Sequence, residues 1–172
     1  MEKAAKSLSK AHPMTLRFAF ASPAHVIASF FGSGVITPAP GTWGTLAGLL
    51  AYLALRPWLG SALVWGAITT ITFFIGAWAC QKTGNDIGVH DHSSIVIDEV
   101  FAIWALLLVI PNTLPWCIAA FCAFRFFDIV KIWPARYFDS SPRWHNGLGV
   151  MLDDAAAAIQ AGIVLVAAQL VL

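Results

Sequence analysis

Residues 58–80, WLGSALVWGAITTITFFIGAWAC, form a run of 23 residues without a charged side chain. At 1.5 Å per residue, a helix of this length reaches about 35 Å and can cross the roughly 30 Å hydrocarbon core of a bilayer. The whole chain of 172 residues is 59% apolar and only 11% charged. A soluble domain usually carries about 25% charged residues. The sequence therefore predicts an integral membrane protein.

Other apolar segments lie on both sides of this run. The expected helices are residues 43–55, 58–80, 95–110, 116–129 and 153–172. The residues between them are expected to form turns at 56–57 and 111–115, a polar loop at 81–94 and a polar, aromatic loop at 131–152. The short run 24–31 could lie in the membrane interface. The stretch 37–45 is too rich in Gly and Pro for a regular helix.

The predicted architecture is an all-α, multi-pass helical membrane protein with about four to five apolar helices. We expect a basic N-terminal tail at residues 1–23 and a single helical domain at 24–172. No apolar segment with a small-residue cleavage site follows the first ten residues, so no signal peptide is expected.

Charged residues gather on one side of the predicted membrane topology. Nine of the ten Lys and Arg lie on or near the side that holds the N-terminus: Lys3, Lys6, Lys10, Arg17, Lys82, Arg125, Lys131, Arg136 and Arg143. By the positive-inside rule this side is cytoplasmic. All nine Asp and Glu fall there too, which predicts a polar site at the cytoplasmic face. The net charge of +1 gives no basic field that would favour nucleic acid.

Asp98 and Glu99 interrupt the apolar run 95–110. If the helix begins near Ser94, they lie about 6 Å into it, deeper than acids that cap a first turn. A buried carboxylate needs a partner or a metal. The functional interpretation is metal binding or acid/base catalysis. The structural alternative is a buried ion pair with Arg125 or Lys131.

Two further groups of charges occur later in the chain. Arg125, Asp128 and Lys131 are spaced three apart and share a helix face, which suits a phosphate bound beside a metal. An ordinary salt bridge is the alternative. Asp153 and Asp154 open the last predicted helix after two glycines that permit close backbone approach. Capping of that helix is their alternative role.

Two loops are weaker candidates. The Gly- and Thr-rich stretch 32–45 could cradle phosphate through Thr42 and Gly44, although a plain turn fits equally well and the Walker pattern is missing. The loop 85–93 alternates His and Asp, including His92, and could bind metal or phosphate or shuttle protons. A solvated loop is its alternative. His25 and His145 receive no role.

Several catalytic motifs are missing. The sequence contains no Cys-x5-Arg loop, no Asp-x-Asp-x-Thr pattern and no G-x-S-x-G elbow. The nucleophile is therefore not expected to be Cys or Ser. Many carboxylates beside a few cations favour Mg²⁺ chemistry on a phosphate substrate.

Ordered blocks from about residue 25 to residue 162 resemble the phosphatidylglycerophosphatase A family. The blocks are Gly32-Ser33-Gly34, 40–44 (PGTWG), 90–99 (HDHSSIVIDE), 124–129 (FRFFDI), Trp133-Pro134 and 147–154 (GLGVMLDD). Two departures from the family pattern are Ile132, where Pro is usual, and Asn146, where Gly is usual. Both spare the charged residues and bear only on loop geometry.

The resemblance implies an all-helical, Mg²⁺-dependent lipid phosphatase of the bacterial inner membrane. Such an enzyme converts phosphatidylglycerophosphate to phosphatidylglycerol and phosphate, the last step of phosphatidylglycerol synthesis. The expected metal ligands are Asp98, Glu99, Asp128, Asp153 and Asp154. The expected catalytic carboxylates are Asp98, Glu99, Asp128 and Asp154, acting on water or through an aspartyl intermediate. The expected phosphate-binding residues are Arg125, Lys131, Thr42, Gly44 and His92.

Two other classes of protein stay open. A small cation or proton transporter would also place acids within the membrane, but it needs polar groups at several depths, and residues 58–80 offer no charge. A non-catalytic assembly subunit would need small-residue faces, which Gly60, Gly66 and Gly76 do not form cleanly.

Overall fold

The computed structural model describes residues 14–171, apart from the side chains of Asp139 and Ser140. Most of the predicted basic tail, with Lys3, Lys6 and Lys10, therefore lies outside the described residues. Within them every regular element is helical, as the sequence predicted, and no strand is present. The α-helices are α1 (Leu16–Ala19), α2 (Pro23–Ala28), α3 (Pro40–Leu59), α4 (Ala62–Ile87), α5 (Ile97–Leu107), α6 (Leu114–Val130), α7 (Ala135–Ser140) and α8 (Gly147–Gln169). Two short 3₁₀ turns occupy Ser33–Val35 and Pro142–Trp144.

The helix α5 lies at the centre of the bundle. It packs against α3, α4, α6 and α8, and nine of its eleven residues are buried. Three glycines of α3, at positions 41, 44 and 48, face α5 so closely that an added Cβ would meet side chains of α5 or its preceding residue. This contact explains how α3 and α5 come together without side chains between them.

The helix α3 is longer than the sequence indicated. It begins at Pro40 rather than near residue 43, since proline has no N–H to leave unpaired in a first turn. It also continues through Pro57 to Leu59, so the predicted turn at 56–57 is wrong and the chain turns at Gly60, which has a φ of +57°. Ser61 then caps α4 by accepting the N–H of Val64.

Two predicted loops are partly helical. The helix α4 continues to Ile87 and ends at Gly88, whose N–H bonds the Gly84 carbonyl at 2.9 Å. Residues 81–87 therefore form its last two turns. The loop predicted at 131–152 contains α7, a 3₁₀ turn and the first six residues of α8.

Two helices, α4 and α8, are long and apolar enough to cross a membrane. The first of them leaves large apolar side chains uncovered, with Leu63 85% and Phe74 66% exposed. Lipid tails solvate such an apolar surface better than water does. The six residues of α2 reach only about 9 Å, so this segment is too short to span.

The two ends of α3 define two ends of the bundle. Pro40 lies at an open cavity described below. Near the other end, the Tyr52 hydroxyl donates to Asn112 Oδ1 at 2.7 Å, which ties α3 to the turn before α6. Arg56 follows Tyr52 by one helical turn, at the end away from the cavity.

Candidate active site

A cavity of about 750 Å³ lies where α3 and α5 begin, α6 ends and α8 passes. Seven predicted site residues line it, although they are spread over 57 positions of the sequence. They are Asp98, Glu99, Arg125, Asp128, Lys131, Asp153 and Asp154. The fold therefore brings the predicted acids and cations to one place.

Asp98 and Glu99 lie in the first turn of α5, not about 6 Å into the helix as the sequence suggested. The helix cannot begin earlier because the Val96 N–H bonds the Ala28 carbonyl of α2 at 2.8 Å, which holds residue 96 outside helical geometry. Both acids are nevertheless buried, with 7% and 9% of their surface exposed. Packing rather than helix position shields them, and the helix N-terminus favours their negative charge.

Arg125 connects two of these acids. Its Nη1 lies 2.9 Å from Glu99 Oε1 and 2.7 Å from Asp128 Oδ2, and it also reaches Thr45 Oγ1 at 3.4 Å. The ion pair considered as a structural alternative is thus present. The ion pair lies in the wall of the cavity, which all three residues line.

Asp153 and Asp154 lie in the second turn of α8 and do not cap it. Asn146 does so by accepting the Gly149 N–H at 2.9 Å, because the helix begins at Gly147. The capping alternative for the two acids is therefore wrong. Asp153 accepts a hydrogen bond from Lys131 Nζ, the residue that ends α6 with a φ of +47°.

Two acids lack a cationic partner. Among the described residues, neither Asp98 nor Asp154 forms an ion pair, and Asp98 Oδ1 and Asp154 Oδ2 are buried without a hydrogen-bond donor. Burial raises the pKa of Asp98 well above its usual range, and the charges of Glu99 and Asp91 raise it further. Burial also raises the pKa of Glu99 to about 8, although Arg125 lowers it. A cation bound beside these acids would stabilise their charged forms against the effect of burial.

This donor set fits a hard divalent cation. In residues 14–171, no three His, Cys, Asp or Glu side chains form a ready-made metal site. Mg²⁺ does not require one, since it usually keeps several waters and takes one or two carboxylates plus substrate phosphate. The unpaired oxygens of Asp98 and Asp154 meet that requirement.

Three residues predicted to bind phosphate do not line the cavity. Thr42 is not among its lining residues. Gly44 is buried against α5, where an added Cβ would lie 2.4 Å from Val96 Cβ. His92 is fully buried, and its Nδ1 accepts the Ser94 N–H at 3.1 Å. The start of α3 reaches the cavity through Ala39, Pro40 and Gly41 instead.

Gly41 contacts the site directly. An added Cβ would lie 1.9 Å from Glu99 Oε1 and 3.1 Å from Arg125 Nη1. The ion pair between those two residues therefore needs a glycine here. The stretch 32–45 is predicted from the sequence to cradle phosphate, and the structure gives its glycines Gly41 and Gly44 a role in packing.

Two histidines line the cavity that received no specific role from the sequence. His90 and His145 have ring centroids 5.5 Å apart. The alternating His and Asp residues of 85–93 made His90 a candidate, but the pattern does not predict that His90 lines this cavity. No local signal marks His145, because only the start of α8 at Gly147 brings it beside residue 90.

Comparison with known proteins supports one family. Residues 26–169 match the family model of phosphatidylglycerophosphatase A. The phosphatidylglycerophosphatase A of Haemophilus influenzae is 48% identical over 86% of this chain and 90% of its own, and that of Escherichia coli is 38% identical over 86% and 84%. A Bacteroides thetaiotaomicron relative, 37% identical over 86% and 94%, is provisionally named a phosphatidylinositol-3-phosphatase.

No solved structure matches this chain. The family model covers most of the chain, including every acid and cation of the cavity described above, and two relatives of that name align over most of their own length. The chain belongs to the phosphatidylglycerophosphatase A family.

Proposed function

We propose that the protein is a Mg²⁺-dependent membrane phosphatase that hydrolyses phosphatidylglycerophosphate to phosphatidylglycerol and inorganic phosphate. The observation that carries the proposal is the convergence of the five predicted carboxylates and two predicted cations on one cavity of a chain in this family. A phosphate monoester needs both kinds of group: cations for its oxygens, and carboxylates for a metal and for proton transfer.

The ion pairs suggest how the work is divided. Glu99 and Asp128 hold Arg125, and Asp153 holds Lys131, so each cation is oriented before substrate arrives. We assign Arg125 and Lys131 to the phosphate oxygens. Arg125 can contact two such oxygens because its guanidinium presents several donors in one plane.

Asp98 and Asp154 remain for the metal and the attacking water. Mg²⁺, held by these two acids directly or through water, would supply a Lewis acid for the phosphoryl oxygens. One of the two carboxylates accepts the proton of the attacking water. Their burial keeps bulk water from competing for the same oxygens.

The proposed topology is multi-pass in the bacterial inner membrane, with the cavity at the cytoplasmic face. The proposal is supported by the placement of nine of the ten Lys and Arg on that side of the membrane topology predicted from the sequence. The exposed apolar surface of α4 faces lipid in this arrangement. The acyl chains of the substrate stay in the bilayer while the headgroup reaches the cavity.

The deciding experiment is phosphate release by purified protein in detergent. Phosphatidylglycerophosphate is supplied with Mg²⁺ and then with excess EDTA, and phosphatidylinositol 3-phosphate is tested in parallel because one relative carries that name. Mg²⁺-dependent release from phosphatidylglycerophosphate is expected. Absence of release from folded protein would reject the proposal, and stronger release from the inositol lipid would change the substrate.

The transporter alternative has its own assay. A transporter would move protons across liposome membranes, and Asp98→Asn would abolish that flux. We expect no proton flux from wild-type protein, because the cavity acids lie at one end of the bundle.

A further inference from the structure

The proposed carboxylates leave one requirement of the reaction without a residue. When the bond between phosphorus and the glycerol oxygen breaks, the electron pair goes to that oxygen. A primary alkoxide is a poor leaving group unless it receives a proton. In in-line displacement the attacking and leaving oxygens lie on opposite sides of phosphorus, so the leaving oxygen needs a donor separate from the base.

The cavity offers few suitable donors. The guanidinium of Arg125 does not give up a proton in proteins, and both Arg125 and Lys131 are engaged by carboxylates. Imidazole is the side chain that releases and regains a proton near neutral pH. Of the described residues that line the cavity, His90 and His145 carry imidazoles.

His90 is the better positioned of the two. It lies partly buried just beyond the end of α4, where its backbone is held closely: the Val89 N–H bonds the Gly84 carbonyl at 3.1 Å, and a Cβ at Gly84 would lie 2.8 Å from the His90 carbonyl oxygen. Its Nε2 is buried and makes no hydrogen bond within residues 14–171. His145, by contrast, is exposed to bulk water.

We infer that His90 is the general acid that protonates the leaving glycerol oxygen, with His145 as a neighbouring ring that does not transfer the proton. The inference rests on the proposed phosphatase function. In this step water forms the new bond to phosphorus and gives a proton to a cavity carboxylate. The ester bond breaks, its oxygen takes the imidazolium proton, and the two groups exchange protons with solvent to reset.

The test changes the leaving atom of the substrate as well as a residue of the protein. Two lipid substrates are compared: phosphatidylglycerophosphate and its analogue in which sulfur replaces the bridging oxygen between glycerol and the terminal phosphorus. Sulfur leaves as a thiolate and needs little help from an acid, because thiols are far more acidic than alcohols. His90→Gln should lower kcat on the oxygen ester by about 100-fold or more while changing kcat on the sulfur ester only a few-fold.

His145→Gln is the matched control, since it alters the adjacent ring of the same cavity. We expect small and equal changes on both substrates. Equal losses on both substrates for His90→Gln, or activity near wild type on both, would overturn the inference. A selective loss in His145→Gln would also overturn it and move the role to that residue.

Failure of the underlying function gives a different result. If wild-type protein releases no phosphate from the oxygen ester, the proposed function is rejected before any variant is compared. Thermal unfolding of both variants checks that each remains folded.

Discussion

The acidic pairs Asp98-Glu99 and Asp153-Asp154 lie at different positions along their helices. In both pairs, however, one acid forms an ion pair with a cation of α6 or its end. The first pair lies in the first turn of α5, where the helix N-terminus favours negative charge. The second lies in the second turn of α8, beyond that benefit. In each pair one acid holds a cation, Arg125 or Lys131, and the other forms no ion pair within residues 14–171.

This difference shows that an acid's neighbours in space decide its role, not its place along a helix. The sequence placed the first pair deep and the second at a helix start, and both placements were wrong. Burial and pairing nevertheless give Asp98 and Asp154 matching surroundings. If the comparison is right, removing equivalent members should have equivalent effects across the two pairs.

The largest effect is expected from the acids without ion pairs. Asp98→Asn and Asp154→Asn should each lower kcat by about 1,000-fold or more, because groups that act as a unit fail together. The double variant should be scarcely worse than either single one. Phosphate release measures this result.

The same variants should unfold no sooner than wild type in the absence of Mg²⁺, because each removes a buried carboxyl group that forms no ion pair within residues 14–171. Near-normal turnover in one of the two variants would break the equivalence of the pairs.

Removal of the two cations should destabilise the protein to different extents. Arg125→Ala leaves both Glu99 and Asp128 facing the cavity without their guanidinium, and we expect a loss of about 3 kcal/mol in the free energy of unfolding. Lys131→Ala removes a cation that holds Asp153 and should cost less, about 1 kcal/mol. Chemical unfolding in detergent provides the values, and the opposite order would contradict the stated pairing.

Mg²⁺ should stabilise the protein through the two acids without ion pairs. At a concentration 100 times its Kd, a ligand that binds only the folded state adds about 2.7 kcal/mol. Thermal unfolding of wild-type protein should therefore shift upward with Mg²⁺, and Asp98→Asn should lose most of that shift. Glu99→Gln is the matched control and should keep more of it, because Glu99 holds Arg125. An equal shift in all three proteins would place the metal elsewhere.

The smallest effect concerns the packing beneath the first pair. Gly41→Ala puts a methyl group against Glu99 Oε1, which lies at the end of a side chain and can move. We expect kcat/KM to fall by about 10-fold because Glu99 is displaced. The free energy of unfolding should fall by about 1 kcal/mol. Gly66→Ala on α4 is the control, because nothing lies within 4 Å of its added Cβ. Equal activity of the two variants would show that the Glu99 position is not critical.

The residues that the fold brings to one cavity could be selected from the sequence, whereas the helix starts could not. Charges within apolar runs identified Asp98, Glu99 and Arg125, since such residues are costly in apolar surroundings and need a partner or a function. The start of α5 depends on a hydrogen bond from Val96 to Ala28, and these residues are far apart in the sequence. The contribution of His145 depends in the same way on tertiary placement.

The packing of the predicted phosphate-binding stretch, 32–45, was hidden in the sequence for a related physical reason. Glycine permits both tight turns and close helix packing, and the block 40–44 contains no residue that distinguishes these uses. The structure shows packing of α3 on α5, with Pro40 at the helix start. Neither Thr42 nor Gly44 lines the cavity, whereas the five predicted acids do.

In the proposed topology, the length of α4 determines how far the cavity lies from the centre of the bilayer. Its 26 residues reach about 39 Å, roughly 9 Å more than the hydrocarbon layer of a bilayer. The excess corresponds to its last two turns, which carry Lys82 and Asp86 and lead directly into the loop holding His90. A helix of this length, crossing the bilayer as proposed, acts as a ruler that lifts the cavity to the level of lipid phosphates, so a substrate can be processed by lateral diffusion without leaving its leaflet.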